Sequence, residues 1–183
     1  MKEKLRQDAQ KIRDRIHNPS KGGALKDNFL RNIEIPGGSV ISAYWPTGTE
    51  IDIRPLITEL YNRGYEICLP CVDAKDAPLS FRQWEPEAVM VKSGNFKIYE
   101  PCKKQHPEMT PNFLIVPMLA FDSNRHRLGY GGGFYDRTLE KLRRENPELI
   151  AIGVAYADQQ IDKIPAEKWD IQLDRVVTES KVF

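Results

Sequence analysis

FLIVPMLAFDSNRHRLGYGGGFYDR, residues 113–137, passes from an apolar strand through a polar turn into four glycines within five residues. Gly129, Gly131, Gly132 and Gly133 lack Cβ atoms, which frees the backbone to take φ > 0 and bring N–H groups close to an anion. The segment after them, Phe134 to Arg143, has helical composition. A helix start there adds unpaired N–H groups and a partial positive charge aimed at the loop. With Arg127 before the glycines and Arg137 after them, the stretch reads as a phosphate site. A tight strand-to-helix connection is the plainer reading of the same glycines. Neither common nucleotide fingerprint fits: no Gly-Lys-Ser/Thr follows, and Phe134 stands where the third glycine of G-x-G-x-x-G belongs.

Outward from this stretch the punctuation predicts alternating helices and strands. Residues 2–17 and 24–33 read as helices, the first ended by Asn18-Pro19, and Ile35-Pro36-Gly37-Gly38 turns into a strand over 39–44. A helix over about 52–62, a stop at Arg63-Gly64 and a strand over 66–70 follow. The stretch 71–110 is irregular, with a short strand over 79–83. Then come a strand over 113–117, a helix over 134–144, a strand over 149–155 and a closing strand over 175–178. Strands separated by helix-length segments imply an α/β fold, a single three-layer domain over residues 1–183 with a central, mostly parallel sheet flanked by helices. Ligands of such sheets gather beyond the carboxyl ends of the strands. Tyr44-Trp45 and Pro117 both stand at strand ends, so the loops holding Glu50 and the glycines are expected to share one crevice.

At 183 residues the chain is long enough for one substantial core. Its 27 basic and 26 acidic residues leave a net charge of +1, no general argument for nucleic acid or membrane. No run approaches the roughly eighteen apolar residues of a membrane span, and the N-terminus lacks a signal-peptide core, so the expected compartment is the cytoplasm. Cys68, Cys71 and Cys102 include one C-x-x-C spacing without a second pair; small buried thiols in a reducing compartment are the preferred reading. In the first helix Leu5, Ala9, Ile12 and Ile16 form an apolar stripe with Lys2, Arg6 and Arg13 as a cationic row beside it. Burying the stripe would set the row at the rim of a pocket; a solvated basic edge is the alternative. Thr49-Glu50-Ile51-Asp52 has the composition of a helix start. Asp136 in a first turn, and Asp170 near Asp174, need no ligand to explain them.

Phe121-Asp122 followed by Arg127-Leu128-Gly129-Tyr130-Gly131-Gly132-Gly133-Phe134-Tyr135-Asp136-Arg137 resembles the signature of the 5-formyltetrahydrofolate cyclo-ligase family, also called methenyltetrahydrofolate synthetase. Weaker similarity runs through Lys2-x-x-Leu5-Arg6, Ala43-Tyr44 to Glu50, Gly64 to Pro70, and Trp169-Asp170 to Thr178-Glu179. The chain departs from the family pattern at Met118 and Arg125, where glycine is usual, at Phe134, which replaces a tyrosine, and at Asn112, where aspartate is common. Arg125 bears on the turn before Arg127, because a non-glycine residue tolerates φ > 0 poorly.

The resemblance implies an enzyme that cyclises 5-formyltetrahydrofolate, polyglutamylated or not, to 5,10-methenyltetrahydrofolate at the expense of ATP. Lys2, Arg6 and residues 127–135 (Arg127, Leu128, Gly129, Tyr130, Gly131, Gly132, Gly133, Phe134 and Tyr135) would bind ATP, with Arg127 catalytic. Trp45, Glu50 and residues 130–134 would bind the folate, the Glu50 carboxylate accepting N–H bonds from the pterin. Asp136 and Asp170 would hold Mg²⁺, a hard cation suited to carboxylates and phosphate oxygens. Of the three histidines only His126, beside Arg127, is placed to touch a ligand. The expected protein works as a monomer, without nucleic acid or membrane. A sugar-phosphate isomerase or transferase of similar architecture and a non-enzymatic RNA-binding protein are the rival readings.

Overall fold

The computed structural model describes residues 2–93 and 98–183. Two helices lead, α1 (Lys2–Ile16) and α2 (Lys21–Asn32), followed by β1 (Val40–Ser42), α3 (Arg54–Asn62), β2 (Glu66–Cys71) and β3 (Ser80–Trp84). A hairpin β4 (Met90–Ser93) and β5 (Ile98–Pro101) precedes β6 (Phe113–Val116) and a small hairpin, β7 (Ala120–Phe121) and β8 (Arg127–Leu128). Helix α4 (Phe134–Glu145), β9 (Ile150–Val154), a 3-10 turn at Ala157–Gln159 and β10 (Arg175–Val177) complete the chain.

Six strands form one sheet in the order β10-β9-β6-β1-β2-β3, parallel throughout except for the β2–β3 pair. Alternate residues of each strand face opposite layers, as the pleat dictates. Ile41, Ile67, Phe113, Ile115 and Ile152 pack beneath Leu25 and Phe29 of α2 and Leu56, Ile57 and Leu60 of α3. Cys68, Leu114, Val116, Ala151 and Val176 face Leu139 and Leu142 of α4. These are the three layers expected from the sequence. A third cluster seats Ala9 and Leu5 of α1 on Leu119, Ala120, Leu128 and Ile164. Among the described residues no helix is long and apolar enough to cross a membrane.

From β1 the chain crosses by α3 to β2 on one side, and from β6 it crosses by α4 to β9 on the other. The neighbouring parallel strands β1 and β6 therefore form the point where the winding reverses, the place where such sheets open a crevice.

Several expected boundaries shift. Helix α2 begins at Lys21, ahead of the expected 24, and takes Gly22 and Gly23 into its first turn. Helix α3 begins at Arg54 with proline in its first turn, and Asp52 rather than Thr49 or Glu50 serves its start, accepting the Arg54 N–H at 3.0 Å. Both hairpins fall where the sequence reads as irregular or as turn: β4–β5 lies inside the stretch 71–110, of which 94–97 are outside the described residues, and the two-residue strands β7 and β8 are too short for a period to register. In α1 the stripe is narrower than expected. Ala9 is buried and Leu5 and Ile16 are partly buried, but Ile12 is exposed, and Arg13 is 4% exposed.

Candidate active site

The turn between β7 and β8 is organised by Asp122. Its buried carboxylate accepts the N–H groups of Asn124 at 3.0 Å, His126 at 3.1 Å and Ile164 at 3.0 Å, and His126 Nδ1 stands 3.2 Å away. Burial works against the charge, but the N–H donors of Ile164 and His126 outweigh it and hold the carboxyl below the usual aspartate value. His126, expected near a ligand, is thereby a partner of the turn. Arg125 takes φ +65°, the left-handed conformation in doubt for a non-glycine residue. It is clamped there by Leu173, whose N–H it accepts at 3.2 Å and whose carbonyl receives Arg125 Nε at 3.2 Å. Met118, the other departure from glycine, is buried over Gly153, where any Cβ would collide with its methyl group.

The strand end and hairpin deliver the glycines to the mouth of the crevice. Only two of the four adopt positive φ, Gly131 at +97° and Gly133 at +65°; Gly129 and Gly132 do not. Gly133 caps α4 in the left-handed conformation, and no side chain caps the helix. Its first-turn N–H groups thus point toward the loop, as an anion site requires. Arg137 folds back to give Nη2 to the Gly132 carbonyl at 2.6 Å and lies 5.3 Å from the Phe134 ring centre. The side chain of Leu128 is in the core.

Helix α1 lies along this mouth with its cationic row turned inward. Lys2 Nζ is 2.6 Å from Asp170 Oδ2 and 2.8 Å from Glu167 Oε2. Burial opposes the Lys2 charge, yet the bonds to Asp170 and Glu167 prevail and raise its ammonium above the ordinary lysine value. Arg6 Nε donates to the Gly129 carbonyl at 3.0 Å, and its guanidinium carbon would be 3.2 Å from a Cβ at Gly131. Arg13, expected at a rim, goes deeper. It donates through Nε to Thr49 Oγ1 at 3.2 Å and through Nη1 to the Tyr130 hydroxyl, and it sits 3.8 Å from Glu50 Oε1. The row was legible in the sequence. That it is the docked face, with Ile12 outside, was not.

Glu50 is 8% exposed and projects from the loop after β1. Thr47 gives its N–H at 2.9 Å and its hydroxyl at 3.2 Å to Oε2, and Tyr130 gives its hydroxyl at 2.5 Å to Oε1. Thr47 and the Tyr130 contact carry no sequence signal beyond nearness to Glu50 and to the glycines. Trp45 is half-buried with its indole 6.1 Å from that of Trp84. Tyr135 has a buried hydroxyl without a hydrogen-bond partner among the described residues. Burial foremost, then the Glu50 charge, push that hydroxyl far above the ordinary tyrosine range, while Arg127 pulls the other way.

Arg127 is sunk into the far wall, 9% exposed. Its Nη2 meets Asp136 Oδ1 at 2.6 Å and its Nη1 meets the Ile171 carbonyl at 2.7 Å. Asp136 Oδ1 also accepts the Ile171 N–H at 3.1 Å, which places Asp136 beside the neighbour of Asp170. Asp170 Oδ2 takes Lys2 and the Glu167 N–H at 2.7 Å. Each carboxylate therefore keeps one oxygen, Oδ2 of Asp136 and Oδ1 of Asp170, out of these bonds. Among the described residues no cluster of three or more His, Cys, Asp or Glu is arranged for a metal. Carboxylate oxygens beside a glycine loop are nevertheless the hard donors that Mg²⁺ prefers, with water and phosphate oxygens to complete its shell.

The cysteines stand apart from all this. Cys68 and Cys71 are buried in β2 and free, and burial pushes the Cys71 thiol up to about 12, with Cys68 displaced upward by the same cause.

A model of the 5-formyltetrahydrofolate cyclo-ligase family matches residues 1–179. The chain is 39% identical over 138 residues to a 5-formyltetrahydrofolate cyclo-ligase of Escherichia coli K12, covering 73% of this chain and 74% of that one. It is 33% identical over 154 residues to the protein of that name from Haemophilus influenzae, covering 82% and 81%. Among solved structures, 5,10-methenyltetrahydrofolate synthetase of Aquifex aeolicus superposes with a TM-score of 0.81 at 28% identity, over 99% of this chain and 91% of the other.

Proposed function

The chain belongs to the 5-formyltetrahydrofolate cyclo-ligase family, and we propose that the crevice between Glu50 and the glycine loop is where it performs an ATP- and Mg²⁺-dependent cyclisation of 5-formyltetrahydrofolate to 5,10-methenyltetrahydrofolate. The protein is an enzyme with the ligase activity of that family. On this reading residues 1–183 act as one catalytic domain and a monomer in the cytoplasm, on folates with or without a polyglutamate tail. The observation that carries the assignment of the site is the meeting of three sequence-distant parts, α1, the Glu50 loop and the glycine loop, through Arg6–Gly129, Arg13–Glu50 and Tyr130–Glu50.

The folate's amide-like formyl oxygen attacks the γ-phosphorus of ATP, and ADP departs. N10 then attacks the formyl carbon of the phosphorylated intermediate, loses its proton and closes the five-membered ring as phosphate leaves. Such a transfer needs positioning and neutralised charge more than covalent help from the protein. Glu50 holds the pterin edge by accepting its N–H donors, beside the half-buried face of Trp45. Lys2, Arg6 and the N–H groups of the glycine loop and of the α4 start surround the phosphates. Arg127 adds charge at the wall and fixes Asp136. The hydroxyl of Tyr135, buried without a hydrogen-bond partner among the described residues and under the charges of both Glu50 and Arg127, has a bond to give. When bound at Asp136 and Asp170, Mg²⁺ supplies charge neutralisation of the phosphate oxygens.

The test is the absorbance of the methenyl product formed from 5-formyltetrahydrofolate with ATP and Mg²⁺, with phosphate measured in parallel. One phosphate per methenyl group, and no product when either ATP or Mg²⁺ is withheld, is the expected outcome. Product formation without ATP would refute it.

A further inference from the structure

The Glu50 carboxylate already carries most of the hydrogen bonds it can accept. A carboxylate offers about four lone-pair sites. The Thr47 N–H and hydroxyl occupy Oε2, and the Tyr130 hydroxyl occupies Oε1. About one site is left. A ligand presenting two adjacent N–H donors, as an amino-pyrimidinone edge does, needs two.

Of the three bonds, the two from Thr47 belong to the turn itself, since the Glu50 N–H in return donates to the Thr47 carbonyl at 3.1 Å. Tyr130 is the removable partner. Its residue surface is 53% exposed although its hydroxyl points inward to the buried Glu50, so the ring covers that carboxylate from the solvent side. Glycines flank it on both sides: a Cβ at Gly129 would meet nothing within 4 Å, and Gly131 has φ +97°. What holds the ring in place is Arg13, which donates to the phenol oxygen and lies 5.4 Å from the ring centre, itself anchored to Thr49 Oγ1. Burial, and after it the Glu50 charge, keep the phenol far above its ordinary value, so it remains a donor across the physiological range.

We infer that Tyr130, latched by Arg13, is a positioning residue that limits the affinity of Glu50 for folate: its hydroxyl occupies the acceptor position that the substrate's second N–H must take. A ligand offering a single N–H takes the one open site and leaves Tyr130 in place, whereas a two-donor edge must also displace the phenol, so deleting the phenol hydroxyl favours the two-donor ligand. Arg13, 3.8 Å from Oε1, stays beside the carboxylate when Tyr130 swings out. This inference rests on the assignment of Glu50 to the pterin.

The experiment is calorimetric titration of 5-formyltetrahydrofolate, without ATP, into wild type, Tyr130→Phe and Glu50→Gln. Tyr130→Phe keeps the ring and deletes only the competing donor. Its dissociation constant is expected to fall at least threefold, with a lower melting temperature of the free protein because Oε1 has lost its partner. An unchanged or weaker affinity in Tyr130→Phe would overturn the inference, the hydroxyl then being neutral or a contact to bound substrate. Glu50→Gln separates the two levels: if it binds folate as wild type does, the pterin assignment itself fails, and if it binds weakly while Tyr130→Phe does not tighten, only the latch fails.

Discussion

Lys2 Nζ lies 2.6 Å from Asp170 Oδ2, joining the first helical residue to a loop 168 positions away. A side chain so near the start of a chain is ordinarily free to fray. Here it is held, 16% exposed, between two carboxylates at the mouth of the crevice. The cation proposed to bind phosphate and one of the two proposed metal ligands are thus held as a pair in the free protein. The Lys2 ammonium titrates above its ordinary value of 10.5. Its contribution to the fold is complete below the unfolded value and is lost as pH rises through the higher folded one.

A negative charge in the glycine loop is expected to disable the enzyme without unfolding it. Gly129 is the position for it, because its φ is not positive and a Cβ there meets nothing within 4 Å; at Gly132 a Cβ would be 2.8 Å from the Phe134 ring and the result would be confounded. Gly129→Asp should cost about 2–4 kcal/mol of transition-state stabilisation in kcat/KM for ATP, with a melting temperature close to wild type. Near-normal turnover would remove the phosphates from this loop.

Arg127→Ala is expected to injure folding as well as catalysis. The sequence alone places this arginine next to phosphate, where its loss would spare stability. In the structure it binds Asp136 and the Ile171 carbonyl deep in the wall, so removal leaves a carboxylate and a carbonyl under-partnered, costing about 2–4 kcal/mol. Urea unfolding of the variant checks this; a midpoint equal to wild type would show that the pair contributes nothing.

Asp122 should govern the acid limb of stability. Its folded carboxyl lies below the ordinary value of 3.8, so its contribution is full above that value and disappears as pH falls through the folded one. Asp122→Ala, which strips the acceptor from Asn124, His126 and Ile164, is expected to cost about 2–4 kcal/mol near pH 6 and progressively less below about pH 4. A gap between wild type and variant that stays constant with pH would contradict this.

Cys71 should be inert to alkylation in the native state. With its thiol pushed up to about 12 and buried, its thiolate fraction at about pH 8 is on the order of one in ten thousand. Mass spectrometry after brief iodoacetamide treatment should find Cys68 and Cys71 unmodified until the protein is unfolded. Rapid native labelling of either would restore the C-x-x-C pair as a candidate for redox chemistry.

The main elements were legible because β2, β6 and β9 are short, largely apolar runs buried on both faces and bounded by turn residues, while α3 and α4 bury one face with a period near four. What escaped were features set by distant partners. Arg125 has a left-handed backbone because Leu173 clamps both its carbonyl and its side chain. Met118 fits because Gly153 yields the space. For the site, glycines, cations and carboxylates announce themselves by type, and helical spacing aligns Lys2, Arg6 and Arg13. Only the docking of α1 decides that Arg13 is inside and Ile12 outside, and the Thr47 and Tyr130 bonds to Glu50 depend on where two loops meet across the β1–β6 boundary.

On the proposed reading the crevice has two walls, Glu50 for the folate and Lys2, Arg6 and the glycine loop for ATP. Calorimetric titration of Lys2→Ala and Glu50→Gln with each ligand separately, at fixed Mg²⁺ and salt, distinguishes them. Lys2→Ala is expected to weaken ATP by about five- to a hundredfold, the equivalent of about 1–3 kcal/mol, and to leave folate binding near wild type. Glu50→Gln should do the reverse. Equal weakening of both ligands by either variant, or no effect of Lys2→Ala on ATP, would contradict the division of the crevice and leave α1 a structural cover.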